Sequence, residues 1–446
     1  MTASATQTTR LEDTLGIRTI SDNLKRLASL GEQFVANAPS GNKPCCAWDA
    51  GSLSRKPGPD QATPHVTLLL DMGGTHTKVG YRDTEGSWIP VLDHHNDWFE
   101  SKRDPALSLL QGFFRTLLSE TVTAASFLKS SPLPIRMGVI WSNQIKTKRF
   151  QSGKTRGVTG LVHGFQSGGY RKGEWFLKQI KNGDDIGAAL LAECEHAGLT
   201  PEVMVLGNDT LFTLFAVEDA HAGVVMSSGG NCTLVGTEGA DKDELFNSEL
   251  GGMFMLPPEL LSVGDLAFAK SRGVASLSLE ELAAGNWLSA MVTAHILEAA
   301  KVAGGESLKK LAADIQAKSF VVTNRSLSGL LAGTDTVYTV YPADTRATLQ
   351  SLLSALVERG ATLAGLLCYL SVVNQVQAGL KHAIISLDSS MARHFPGYHD
   401  GMQRTLGTLA PQGVILDLRL VSPLNVAEGI EISVPLQGAA ASLSHH

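Results

Sequence analysis

The sequence predicts an α/β protein made of a duplicated domain. Apolar strand-like runs that stop at turn residues, such as LLLDMGG and VMVLGND, alternate with helical stretches, the pattern of that class. The pattern G-G-x-x-T-x-V-G occurs at residues 73–80 and again at 229–236, as an internal repeat would leave it. At 446 residues and 43% hydrophobic, the chain is long enough for two domains.

The elements follow in order. Residues 17–36 carry Ile17, Ile20, Leu24, Leu27 and Leu30 at helical spacing, with Ser21 as a possible cap. Residues 37–64 are rich in Pro, Gly and Ser and read as a loop or extended arm. From His65 strands joined by tight turns begin. Residues 105–128 predict a helix, 135–142 a buried strand, and 171–199 a mostly helical stretch broken near Asn182-Gly183. VMVLG (203–207) is a strand, the second half is helix-rich to about Leu380, and HAIISLD (382–388) is again a strand.

Bulk properties exclude several classes. A net charge of −6 and a pI near 6.1 argue against nucleic-acid binding. Five scattered cysteines, two of them adjacent at Cys45-Cys46, form no disulfide framework and suit a reducing compartment. The N-terminus lacks the apolar core of a signal peptide. The longest apolar run, LAGLLCYLSVV (363–373), is too short to span a bilayer. We expect a cytoplasmic protein, monomer or homodimer, with no nucleic acid and no membrane among its partners.

The stretch LLLDMGGTHTKVGYR (68–82) carries the chemistry. In a P-loop or a dinucleotide fold the glycine turn opens a helix. Here it is followed by an alternating run rich in Thr, Val and Tyr, which is a strand. The turn is therefore the tip of a β-hairpin whose backbone N–H groups can face an anion, with Asp71 beside them to hold Mg²⁺. GVVMSSGGNCTLVGT (223–237) repeats the arrangement. Two such hairpins across a cleft could clamp a polyphosphate; the plainer alternative is two ordinary turns between core strands. VMVLGNDTLFTLF (203–215) adds a buried strand, then Asn208-Asp209-Thr210, then a helical pattern. Ligands of α/β proteins collect at such strand ends. Asp209 is either a general base for an acceptor hydroxyl or, with Thr210, merely a helix cap. LDHHNDWFE (92–100) clusters histidines and aspartates but reads as a surface loop, not a metal site.

Together these segments resemble the hexokinase family, the eukaryotic-type ATP:hexose phosphotransferases of the actin-like sugar-kinase superfamily. LLLDMGGTHTKVG is similar to the family's first phosphate motif, MVLGNDTLFTL to its catalytic Asn-Asp-Thr segment, and GVVMSSGGNCT to its second phosphate motif. FNSELGGMF (246–254) resembles the sugar-binding Asn-Thr-Glu-Trp-Gly stretch. SLDSSMARHFPGYHDGMQRTL (386–406) resembles the adenosine segment, and LQGAAASLS the helix that ends the small domain. The pieces match in order from about residue 20 to the C-terminus.

The resemblance implies two actin-like (ribonuclease H-like) domains around a central cleft. A small domain would comprise residues 61–210 plus 435–446, and a large one residues 211–434, with residues 1–60 as an N-terminal helix and extended arm. It implies ATP and Mg²⁺ as cofactors and a hexose as acceptor at its 6-hydroxyl. Asp209 would be the catalytic base, and Asn208 and Asn247 would bind sugar hydroxyls. Asp71 would hold the Mg²⁺ of MgATP through water, and Gly73, Gly74 and Thr75 would line its phosphates. Lys78 stands where the family has Arg, supplying charge without the bidentate fork. Ser228 and Gly229 would meet the phosphates from the other side, and Ser142 matches the serine of the family's Phe-Ser-Phe/Tyr-Pro segment.

The sugar pocket departs from the family. Val162-His163-Gly164-Phe165 replaces Thr-Lys-Gly-Phe, which leaves His163 in place of a sugar-binding lysine. Asp265, Glu280 and Glu298 are the candidates for two later sugar-binding glutamates. The expected alternatives are a kinase for a sugar other than glucose, or a non-catalytic sugar or nucleotide sensor.

Overall fold

The computed structural model describes residues 11–37, 48–49, 64–73, 76–83, 85–102, 104–142, 145–162, 180, 183–226, 230–236, 243–247, 250–302, 304–427 and 430–443. A short strand, β1 (Trp48–Asp49), precedes the first sheet. That sheet holds β2 (Val66–Met72), β3 (His76–Arg82), β4 (Trp88–His95), β5 (Ile135–Trp141), β6 (Ile145–Ser152), β7 (Thr155–Val162) and β8 (Pro201–Gly207), in the order β4-β3-β2-β5-β8-β7-β6. The second sheet holds β9 (Ala222–Val225), β10 (Gly230–Gly236), β11 (Asp243–Asn247), β12 (His382–Asp388) and β13 (Ile415–Leu420), in the order β1-β11-β10-β9-β12-β13. A small hairpin, β14 (Leu424–Ala427) and β15 (Ile430–Ile432), follows.

The two sheets repeat one plan. In the first, β2 pairs antiparallel with β3 and parallel with β5, which pairs parallel with β8. In the second, β9 pairs antiparallel with β10 and parallel with β12, which pairs parallel with β13. The repeat visible at the two glycine turns is thus a repeat of strand order.

Strand chemistry explains the burial. Successive side chains of β2 point to opposite faces. Leu68, Leu70 and Met72 join the core under the helices Leu109–Ala124 and Ile186–Ala197, while Leu69 joins the core under the C-terminal helix Val434–Leu443. A strand covered on both faces reads as a continuous apolar run. The largest core gathers around the helix Ala343–Leu370, beside the second sheet. That helix is long and apolar enough to cross a membrane by length and composition, and most of it is buried in the core. It begins well before the apolar run at residues 363–373 used to judge membrane spans from sequence.

Some elements differ from expectation. The stretch 17–36 forms two helices, Thr19–Asp22 and Leu24–Asn37, because Asn23 turns its side-chain amide back onto the Thr19 carbonyl at 2.8 Å. Ser21 lies inside the first and caps neither. The helix expected at 105–128 starts at Leu109, where Ser108 and Gln111 form a capping box. Residues 92–95 are strand, not loop. They sit on edge strand β4, where His76 meets Asp93 at 3.0 Å and His94 meets Glu120 at 2.9 Å. Of the stretch 171–199, the helix Ile186–Ala197 is described, and residues 171–179 lie outside the described residues.

Candidate active site

Three neighbouring parallel strands end side by side and deliver polar residues to one edge. β2 ends with Asp71 and Met72, β5 is followed by Ser142, and β8 is followed by Asn208 and Asp209. The Ser142 amide donates to the Met72 carbonyl at 3.3 Å, so the first two ends are tied together. The turn after β2 leads directly into antiparallel β3, with Asp71 opposite Lys78 and Met72 opposite Thr77. It is a hairpin, as the alternating residues after the glycines require. Gly73 closes its root by donating to the His76 carbonyl at 2.9 Å.

Asp209 opens the helix Asp209–Phe215, but Asn208 is the cap. The Asn208 Oδ1 accepts from the Thr210 amide at 2.8 Å and from the Thr210 hydroxyl at 2.7 Å. Asp209 Oδ1 also lies 2.9 Å from the Thr210 amide, and its carboxylate is half-buried. With the cap assigned to its neighbour, Asp209 is not needed to start the helix.

The second sheet adds a carboxylate that the sequence reading did not single out. Asp388 ends β12, and its backbone carbonyl accepts from Met226, which follows β9, at 2.9 Å. Arg393 donates to Asp388 Oδ1 at 2.8 Å and to the Val421 carbonyl at 2.9 Å. Its sequence signal was the one that marks Asp71, an apolar strand ending in Asp (HAIISLD beside VTLLLD). The Asp71 carboxyl is pushed up to about 6, first by burial and then by the Asp209 carboxylate, with Asp388 adding to the effect. Ser433, next to the C-terminal helix, donates to Asp71 Oδ2 at 3.2 Å and works against the rise, as does Lys78. Asp388 is raised for the same reasons, burial first and Asp209 after the opposing Arg393.

Carboxylates that raise one another's pKa make a place where a divalent cation is favourable. Among the described residues no three His, Cys, Asp or Glu side chains stand close enough to ligate a metal directly. That donor set suits Mg²⁺, which keeps several waters and usually arrives with phosphate oxygens. Asp71 would hold such an ion through water, with Asp209 and Asp388 facing it.

Lys78 shares a face of the hairpin with Asp71, and its Nζ is 3.6 Å from Asp93 Oδ2. Gly74, Thr75, His163, Ser228 and Gly229 lie outside the described residues. Asn247 ends β11, opposite Cys232 of β10 and Trp48 of β1. Val162 is buried in the core with Trp141 and Ile145, so its methyl groups do not line the cleft.

One of the three candidate acidic residues falls away. Asp265 is fully buried and bound by Arg359 through two hydrogen bonds, 2.6 and 2.9 Å, with Ser262 completing its shell. It anchors the interior of the larger core. Glu298 pairs with Lys301 at 2.6 Å, one helical turn on. Glu280 stands beside the FNSELGG stretch: a Cβ at Gly252 would lie 3.1 Å from its Oε2. Beyond Asp388, the helix Ser390–His394 and the helix Asn324–Ala332 border a cavity of about 720 Å³ lined by Thr323, Asn324, Ser390, Met391 and His394. Of these, Ser390, Met391 and His394 belong to the segment likened above to an adenosine site.

No protein-family model matches the chain, and no curated protein matches it by sequence. Solved structures do. A hexokinase from Schistosoma mansoni, complexed with glucose, is 16% identical with a TM-score of 0.60, covering 98% of this chain and 96% of that one. A second hexokinase is also 16% identical, with a TM-score of 0.63, covering 98% of this chain and 95% of the other. The strand order and these likenesses define the class: two ribonuclease H-like α/β domains, the actin-like arrangement, around a central cleft. The chain has the fold of the hexokinases over nearly its whole length.

Proposed function

We propose that this protein is an ATP-dependent sugar kinase of the hexokinase type, transferring the γ-phosphoryl group to the primary hydroxyl of a hexose. The observation that carries the reading is the set of carboxylates at the strand ends, Asp71 and Asp388 raised in pKa around Asp209. A cluster of acids at the mouths of two glycine hairpins is unfavourable on its own and suited to a magnesium-bound polyphosphate. Bound magnesium would neutralise charge on the phosphate oxygens. Asp209 would accept the acceptor hydroxyl's proton as that oxygen bonds to phosphorus and the bond to the β-phosphate breaks. Ser142 and Asn208 would orient the sugar, and the cavity beside Ser390 would take the nucleoside end.

Asp209→Ala tests the reading. Nucleotide binding is expected to persist while turnover falls by at least ~10², read by coupled ADP release with a panel of hexoses. Full activity in that variant rules out the assigned base. A sensor, by contrast, would show ligand-induced stabilisation of the wild type with no ADP released from any hexose.

A further inference from the structure

We propose that Asn96 is a positioning residue for the first glycine turn, and so for the phosphate tail; this rests on the reading that the turn holds phosphate. Asn96 begins the 3₁₀ stretch Asn96–Lys102, directly after edge strand β4. Its side-chain amide reaches across the root of the β2–β3 hairpin and bonds both sides of it. Oδ1 accepts from the Thr77 hydroxyl at 2.8 Å, and Nδ2 donates to the Gly73 carbonyl at 2.9 Å. Thr77 is 1% exposed, so the acceptor end of the amide is locked by a buried partner and the donor end has one direction left.

The consequence follows from the peptide bond. A carbonyl and the next residue's N–H share one plane and point in opposite directions. Holding the Gly73 carbonyl toward Asn96 therefore fixes the orientation in which the chain leaves the root of the hairpin. A Gly-Gly pair left to itself samples many such orientations. Fixing one before binding removes that ordering cost from the nucleotide's affinity. Thr77 acts through Asn96 and has no need to touch the ligand.

Calorimetric titration of the full-length protein with the magnesium complex of a non-hydrolysable ATP analogue, AMP-PNP, tests this, beside steady-state kinetics with ATP. Asn96→Leu keeps the volume and removes both hydrogen bonds. It should weaken analogue binding and raise the KM for ATP about tenfold, the scale of one or two lost hydrogen bonds. The hexose KM should stay within about twofold, since nothing on the sugar side is touched. Thr77→Val should cost about threefold, and the double variant should be no worse than Asn96→Leu. That non-additivity marks two residues acting as one unit. If Asn96→Leu does not fold, Thr77→Val carries the test alone. Unchanged analogue affinity in the folded variant, or equal losses for nucleotide and hexose, overturns the positioning role. Wild type that binds no analogue overturns the phosphate reading itself, and is told apart from a failure of Asn96 by the wild-type titration.

Discussion

Asp71 is an acid whose surroundings oppose its charge. Burial and Asp209 raise its carboxyl from 3.8 to about 6. The sign of the linkage is fixed by that rise: between the two values the folded chain binds more protons than the unfolded one, so stability falls as pH rises through this window. Above about pH 6 the whole penalty is present, at most on the order of 3 kcal/mol. Asp71→Asn should therefore raise the unfolding midpoint at pH 7.5 and change it little at pH 4. In the wild type, Mg²⁺ with nucleotide should recover part of the loss at pH 7.5, and in Asp71→Asn that recovery should shrink. Thermal scans at both pH values, with and without MgAMP-PNP, read both effects. The neighbouring question of acceptor choice turns on Val162 and His163. Since Val162 sits in the core, Val162→Thr should lower the unfolding midpoint by burying a hydroxyl, about 1–3 kcal/mol, and gain no sugar affinity. His163→Lys restores the cation the family has there, and should lower the KM for glucose. At this scale Asp71 and Asp209 were legible because strand, turn and acid are contiguous. Ser433 was not, because it reaches Asp71 from 362 residues away.

Among elements, the hairpins were the easiest to read. A glycine turn followed by alternating Thr, Val and Tyr has few other solutions, and the two strands it joins are neighbours in sequence. The helix after β8 was legible too, but its cap was misassigned: Asp209 and Thr210 were weighed, and Asn208 performs it. Asn and Asp are nearly equal as caps, so sequence alone cannot rank adjacent ones. Asp265 failed for a different reason. A carboxylate in a helix-rich segment reads as available until its partner is seen, and Arg359 lies 94 residues on. The 3₁₀ stretch that presents Asn96 looked like a loop because the partners of its first residue, Thr77 and Gly73, lie 19 and 23 residues back.

At the scale of the whole molecule, the strand order is duplicated in the two sheets, and one short helix stands between the halves. Asp209–Phe215 packs against β9 on one side and the C-terminal helix on the other. Both contacts are made by glycine. A Cβ at Gly223 would lie 2.4 Å from the Leu214 amide nitrogen, and one at Gly438 only 1.6 Å from the Phe212 carbonyl oxygen. Gly438→Ala should therefore lower the unfolding midpoint, by about 1–3 kcal/mol or more, as chemical denaturation would measure. Backbone against backbone leaves no rotamer to rearrange, so these contacts behave as bearings. A rotation of one sheet against the other that preserves both must take this helix as its axle. Points far from an axle sweep wide arcs and points beside it barely travel. In such a rotation the sheet ends far from this helix would travel furthest, while Asp209, at its first turn, would keep its station.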